Sequence, residues 1–306
     1  MGRPYWSLLA ERGLLAGMAL SRFFAPPRPS VTRSRHGLAV VRTVTALVLA
    51  THPLYALTHP AYREHLGGDV GVTAVTLFAV LQLGLALALL VPAAVRAACV
   101  GNAVLLAGNI AFFQGPAWYA LGGGSEEGHP GIELDVLLIV YLASIFVADP
   151  RRRAGPLLSP ALAVAFPACI AAFNVSTHAL HPFVTWDLEG MRDFGAGMEH
   201  RGFPCGLVLV WSAMVTQILA TAGILSRRLV VPGCAAHMSI LGLGVCITHW
   251  GRWFIQGPGE GGMEYSVLLL TAFSVGIWTS GPAGRHGAAA DPLPAEAAPH
   301  RARAPA

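Results

Sequence analysis

Residues 70–92 read VGVTAVTLFAVLQLGLALALLVP, a run without a single Asp, Glu, Lys or Arg. Its only strongly polar side chain is Gln82. A helix on a soluble protein keeps a polar face toward water; this one is apolar on every side. At a rise of about 1.5 Å per residue such a run crosses a hydrocarbon core of about 30 Å. Runs of the same kind occur at about 38–57, 94–114, 132–148, 160–181, 204–225, 230–255 and 263–280. The expected fold is therefore all-α: a polytopic membrane bundle with about eight transmembrane helices.

Composition agrees. The chain has 306 residues, of which 54% are hydrophobic and only 12% charged, against about 25% charged in soluble domains. Mean hydropathy is +0.57. Every basic residue is arginine, and the net charge of +4 is carried by short loops. That distribution reports membrane orientation; no nucleic-acid partner is expected. Arginines cluster before the first run, at Arg96, at Arg151–Arg153, at Arg227–Arg228 and in the tail, all on one side of an eight-span topology. The positive-inside rule then puts both termini in the cytoplasm, and a cell (inner) membrane is the expected location. Carboxylates and histidines show the opposite bias, so chemistry is expected at the outer helix ends.

The flanks read differently. Residues 1–37 comprise an amphipathic N-terminal helix suited to a membrane surface and a Pro/Arg-rich linker. Residues 282–306, rich in Ala, Pro and Arg, are expected to be disordered. No two of the five cysteines form a CxxC. Cys205 and Cys246 fall near the same face, which leaves a disulfide between them open.

The second half echoes the first. Ala50-Thr51-His52 returns as Ser176-Thr177-His178, and Gln82 as Gln217. Phe112-Phe113-Gln114-Gly115-Pro116 returns as Phe254-Ile255-Gln256-Gly257-Pro258, and Gly131-Ile132-Glu133 as Gly262-Met263-Glu264. Four landmarks in the same order predict duplication, with units at 38–150 and 151–281. An even helix number makes the two four-helix repeats parallel. The first alone inserts a glycine- and acid-rich loop, Trp118 to Gly128; the second alone carries His249, Arg252 and His181.

Those differences nominate the site. His178 and His181 share a helical face, as do His249 and Arg252, and Glu264 opens the last run on the same membrane side. Ionisable groups in a span cost roughly 2.5–3.5 kcal/mol on insertion scales, so they tend to be paired or functional. His178, His181, His249, Arg252 and Glu264 together could bind a polar headgroup and move a proton. Gln217 and Trp253 are candidate contacts to a cofactor. His52, Glu133 and Asp135 form a secondary site; Glu133 and Asp135, two apart, do not share a face. No metal site is expected. Water-satisfied residues at helix ends are the plain alternative for all of them.

The second half also resembles the DoxX family of small four-helix membrane proteins. The likeness rests on the helix ending in His178, the outer stretch Met191-Arg192-Asp193-Phe194 leading to Gly202-Phe203-Pro204, the Gly-Ile-Leu-Ser-Arg-Arg turn at 223–228, and Gly261-Gly262-Met263-Glu264-Tyr265. Gly131-Ile132-Glu133 carries a weaker echo in the first half, so 38–281 reads as a tandem pair. This resemblance implies a quinone-linked or redox-associated membrane component, with a quinone-like ligand, the lipid bilayer and a membrane redox protein as partners. Two positions depart from the family: His178-Ala-Leu-His181 replaces a basic residue, and Gln82 and Gln217 replace an acidic one. In outline the chain is also similar to the HTTM membrane domain of vitamin-K-dependent carboxylase-like proteins. That likeness implies an enzyme on an isoprenoid or lipid substrate using His/Glu acid–base chemistry. A non-catalytic scaffold or carrier is the remaining alternative.

Overall fold

The computed structural model describes residues 31–68, 71–111, 132–148, 161–180, 188–249, 253 and 263–280. The N-terminal amphipathic segment, the loop from Trp118 to Gly128, His181, Arg252 and the tail from Gly281 lie outside the described residues, and of His249 only the backbone is described.

Among the described residues every regular element is a helix. They are α1 (Val31–Thr58), α2 (Pro60–Gly67), α3 (Val72–Ala88), α4 (Val95–Asn109), α5 (Glu133–Ala148), α6 (Phe166–Asn174), α7 (Leu188–His200), α8 (Gly206–Leu225), α9 (Val230–Gly244) and α10 (Glu264–Ser280). π-helical turns extend α6 at Ala161–Ala165 and Val175–Ala179, and α9 at Val245–His249. Four stretches are long and apolar enough to cross a membrane: Thr32–Thr58, Leu162–Ala179, Gly206–Leu225 and Val230–Ile247. The chain is a membrane protein on that composition. α1 starts at Val31, inside the segment read as a linker. Two short helices, α2 and α7, sit between the long ones, and the order long, short, then three more occurs twice along the chain.

Proline explains two local irregularities. Pro53 lies inside α1; without an N–H it leaves the Leu49 carbonyl one bond short, just before the end that carries His52. Pro167 near the start of α6 leaves the Ala163 carbonyl free in the same way. That carbonyl accepts a 2.7 Å hydrogen bond from Ser280 Oγ of α10. The chain there widens into a π-turn, the usual response when the α-helical bond is lost.

Helices pack as two rings of four. α1, α3, α4 and α5 close one ring; α6, α8, α9 and α10 close the other. The rings meet through α1 against α10 and α5 against α6, so the first helix of each ring faces the last helix of the other. α5 and α10 lie at the centre, with most of their residues buried. Tyr141 of α5 is fully buried; its hydroxyl donates to the Leu268 carbonyl of α10, and its ring meets Phe166 edge-on at 4.9 Å. Lipid cannot drive helices together as water does, so small residues and interhelical hydrogen bonds must. Gly276 is such a contact: a Cβ there would lie 3.0 Å from Pro167 and 3.1 Å from Cys234 Sγ. Leu77, Val104 and Leu219 by contrast are more than 60% exposed, as a lipid-facing surface requires.

Side-chain contacts fix which helix ends share a side. At one end Arg42 of α1 donates to the Leu89 and Leu90 carbonyls, each at 3.1 Å, placing a cation where the α3 dipole is negative. Arg96 lies 4.5 Å over the Phe146 ring, a cation–π contact at that same end. At the other end Asn109 Nδ2 donates to Asp135 Oδ2 at 2.8 Å. Arg42 and Arg96 thus lie at one end and Asp135 at the other.

Candidate functional site

Glu264 is the first residue of α10 and is 0% exposed. A carboxylate in that position completes the positive end of the helix dipole. Its backbone N–H donates to the Trp253 carbonyl at 3.1 Å. Its Oε2 lies 2.9 Å from His52 Nε2, whose side chain is 25% exposed. The pair joins α1 of one ring to α10 of the other. Residues assigned from sequence to the main and to the secondary site are therefore brought together.

α2 follows α1 and packs against α1 and α3. His59 precedes Pro60, which fits the first turn because its missing N–H would be unpaired there anyway. Tyr55 stacks on His59 with ring centroids 3.8 Å apart and meets Tyr62 edge-on at 5.1 Å. Burial, then Tyr55, then the Glu264 charge push the Tyr62 phenol above its ordinary value, which places Tyr62 within electrostatic reach of Glu264. Arg63 Nε is buried and has no hydrogen-bond partner among the described residues. The same holds for Trp253 Nε1, and the Trp253 ring packs against the main core. Native interiors satisfy most buried donors, so such groups mark places where a ligand or water is to be looked for. Tyr62 and Arg63 escaped the sequence reading because eight polar-rich residues between apolar runs carry no helical periodicity. The sequence signal was Thr58-His59-Pro60, a helix start.

The remaining candidates divide. His178 is exposed, in the π-turn at the end of α6. Its Nδ1 lies 2.7 Å from Thr177 Oγ1, and its ring centroid 5.2 Å from that of Tyr265. Thr177 Oγ1 is 3.4 Å from the Tyr265 hydroxyl. Glu133 and Asp135 are both buried. Asp135 meets Asn109. Gln217 is buried in α8. The apolar groove of α8, lined by Leu207, Trp211 and Val215 among others, is formed by other residues. All five cysteines are free, so Cys205 and Cys246 are not bridged. Among the described residues no three His, Cys, Asp or Glu gather as a metal site.

His237 stands apart from the candidate residues. It is fully buried in α9; Thr221 Oγ1 lies 2.9 Å from its Nε2, Asn174 Nδ2 lies 3.5 Å from its Nδ1, and its ring stacks on Phe273 at 4.6 Å. It ties the four helices of the second ring through one polar side chain.

No family model matches the chain, and no curated protein or solved structure matches it.

Proposed function

We propose that this protein is an eight-span membrane component made of two parallel four-helix units, and that it binds a quinol-like ligand at the outer end of the cleft between them. The single observation that carries the reading is a fully buried carboxylate, Glu264, paired at 2.9 Å with a histidine open to the surroundings on one side. A buried acid with a partly exposed base beside it is the equipment for taking a proton from an apolar ligand and passing it to water. A quinol that gives two electrons to a membrane redox partner releases two protons, which the His52–Glu264 pair would pass on to water one at a time. The unpartnered Trp253 N–H supplies a donor for a ring oxygen.

Support for the eight-span topology comes from the match between the eight apolar runs and the eight longer helices. α5 and α10, of 16 and 17 residues, are about 24–26 Å long and lie in the centre, where protein rather than lipid surrounds them. The basic end would face the cytoplasm and the His/Glu end the outside. Both the DoxX likeness of the sequence and the His52–Glu264 pair between the two rings favour this reading over a scaffold.

The test is direct. Protein purified in mild detergent is extracted and its small molecules identified by mass spectrometry, and short-chain benzoquinone binding is followed by tryptophan fluorescence. Quinone retention is expected, with binding roughly 10–100-fold weaker in Glu264→Gln, as loss of a charge-assisted hydrogen bond of about 1.5–3 kcal/mol implies. No retained quinone, and no fluorescence response to any analogue, refutes the reading. An isoprenoid or lipid bound in its place favours the acid–base enzyme.

A further inference from the structure

We infer that the helix ends carrying Arg42 and Arg96 hold a seat for one anionic phospholipid, with its phosphate at Arg96 and one acyl chain in the groove between α4 and α5. This goes beyond the quinol reading and does not use it. It rests on the eight-span topology, which puts α4 and α5 in the bilayer.

The groove follows from two helical stripes. α4 presents Cys99, Val100 and Ala103, and α5 presents Ile139, Ala143 and Phe146. Residues three, four and seven apart share a helical face, so Arg96 continues the α4 stripe. The small side chains of Cys99, Ala103 and Ala143 leave an apolar groove of about 140 Å³ between the helices. Along α5 it extends from Ile139 to Phe146, roughly 10 Å at the helical rise. Val100 is 53% exposed and Ala143 is exposed, so the groove opens on the outside of the bundle. An unfilled apolar groove forfeits dispersion contacts, and a lipid tail supplies them.

The cation at its end selects the headgroup. Arg96 is exposed, in the first turn of α4. Its guanidinium lies 4.5 Å over the Phe146 ring, and Phe146 is itself a wall of the groove. Among the described residues no carboxylate lies within ion-pair distance of it. A cation in the first turn opposes the helix dipole. α4 also starts without a side-chain cap, and the first N–H groups of a helix find no partner within it. Guanidinium, dipole and open amides therefore all favour an anion at this point. Arg42, at the same end, is already engaged with the Leu89 and Leu90 carbonyls, so Arg96 is left to meet the phosphate.

The test uses phosphatidylglycerol and phosphatidylcholine, each with a photoreactive diazirine in one acyl chain, in vesicles holding the full chain. Crosslinked residues are read by tandem mass spectrometry. Phosphatidylglycerol should label the groove about fivefold more than phosphatidylcholine, the gain expected of one basic side chain toward an anionic lipid. Arg96→Gln should lower its labelling to the phosphatidylcholine level, and Arg96→Lys, which keeps the charge, should retain most of the preference. Ala143→Leu, which fills the groove, should lower labelling by both lipids. Equal labelling by the two lipids in the wild type, a preference that survives Arg96→Gln, or labelling unmoved by Ala143→Leu overturns the site. So does an unlabelled groove beside a labelled Val104, which is exposed on α4; the groove is then covered by protein, a second copy of the chain included. No label anywhere on α4 or α5 overturns the eight-span topology and the site with it. Quinone retention is unaffected by Arg96→Gln in every case, so the two readings fail separately.

Discussion

Replacing His52 should harm this protein more than replacing Glu264, although Glu264 is the deeper residue. The two side chains are 2.9 Å apart, with 25% exposure for histidine and 0% for glutamate. Their gross attraction when both are charged is on the order of 6 kcal/mol at an effective dielectric constant near 20. Desolvating the carboxylate costs several kcal/mol, so the pair nets about 1–2 kcal/mol. His52→Ala leaves that cost unopposed. Stranding a buried charge costs roughly 3–5 kcal/mol, lowered here to about 2–4 because the vacated histidine space admits water. Glu264→Gln removes the charge yet keeps a hydrogen-bonding amide, and the histidine it leaves can still reach water; its cost should stay below about 1 kcal/mol. The double variant should then be more stable than His52→Ala alone. Equilibrium unfolding in mixed micelles measures all four members of this cycle. A Glu264→Gln cost equal to or above that of His52→Ala, or two strictly additive effects, would refute the argument that burial asymmetry governs the pair.

Two further outcomes follow from other contacts. Tyr62 has a raised pKa, from burial first and then from Tyr55 and Glu264. The folded state therefore holds its proton more tightly than the unfolded chain does, and stability is intact below the unfolded value near 10 and declines as pH rises above it. Alkaline titration followed by tyrosinate absorbance and unfolding should show this loss, and Tyr62→Phe should reduce it; an unchanged alkaline profile in Tyr62→Phe counts against the packing of α2. Gly206 opens α8 against α7, where an added Cβ would lie 1.9 Å from the Gly195 carbonyl oxygen. Gly206→Ala should separate the two helices and cost about 1–3 kcal/mol, visible as faster proteolysis within Leu188–His200; wild-type resistance would show that the contact is not tight.

The long helices were legible because length and apolarity are local properties. The runs expected at 132–148 and 263–280 appear as Glu133–Ala148 and Glu264–Ser280. α2 was not legible, since eight residues with Tyr62, Arg63 and Glu64 among them offer no apolar stripe. The candidate site was half legible. Spacing assigns a residue to a membrane side and a helical face, so His52, Glu133, His178 and Glu264 could all be placed at one end. Which histidine meets which carboxylate depends on how two rings dock, and His52 and Glu264 are separated by 212 positions. The same holds for His237, which Thr221 and Asn174 reach from α8 and from α6.

The pairing of His52 with Glu264 across the two rings also orders events during synthesis. A ribosome adding about 5–20 residues per second needs roughly 10–40 s to travel from His52 to Glu264. Through that interval α1 is already in place while its counter-ion has not been made, and the face that will receive α10 stands open to lipid. Glu264 opens the last described helix, so the carboxylate and the histidine that balances it can meet only after α10 has been made. The arrival of α10 thus sets when this contact between the rings can form.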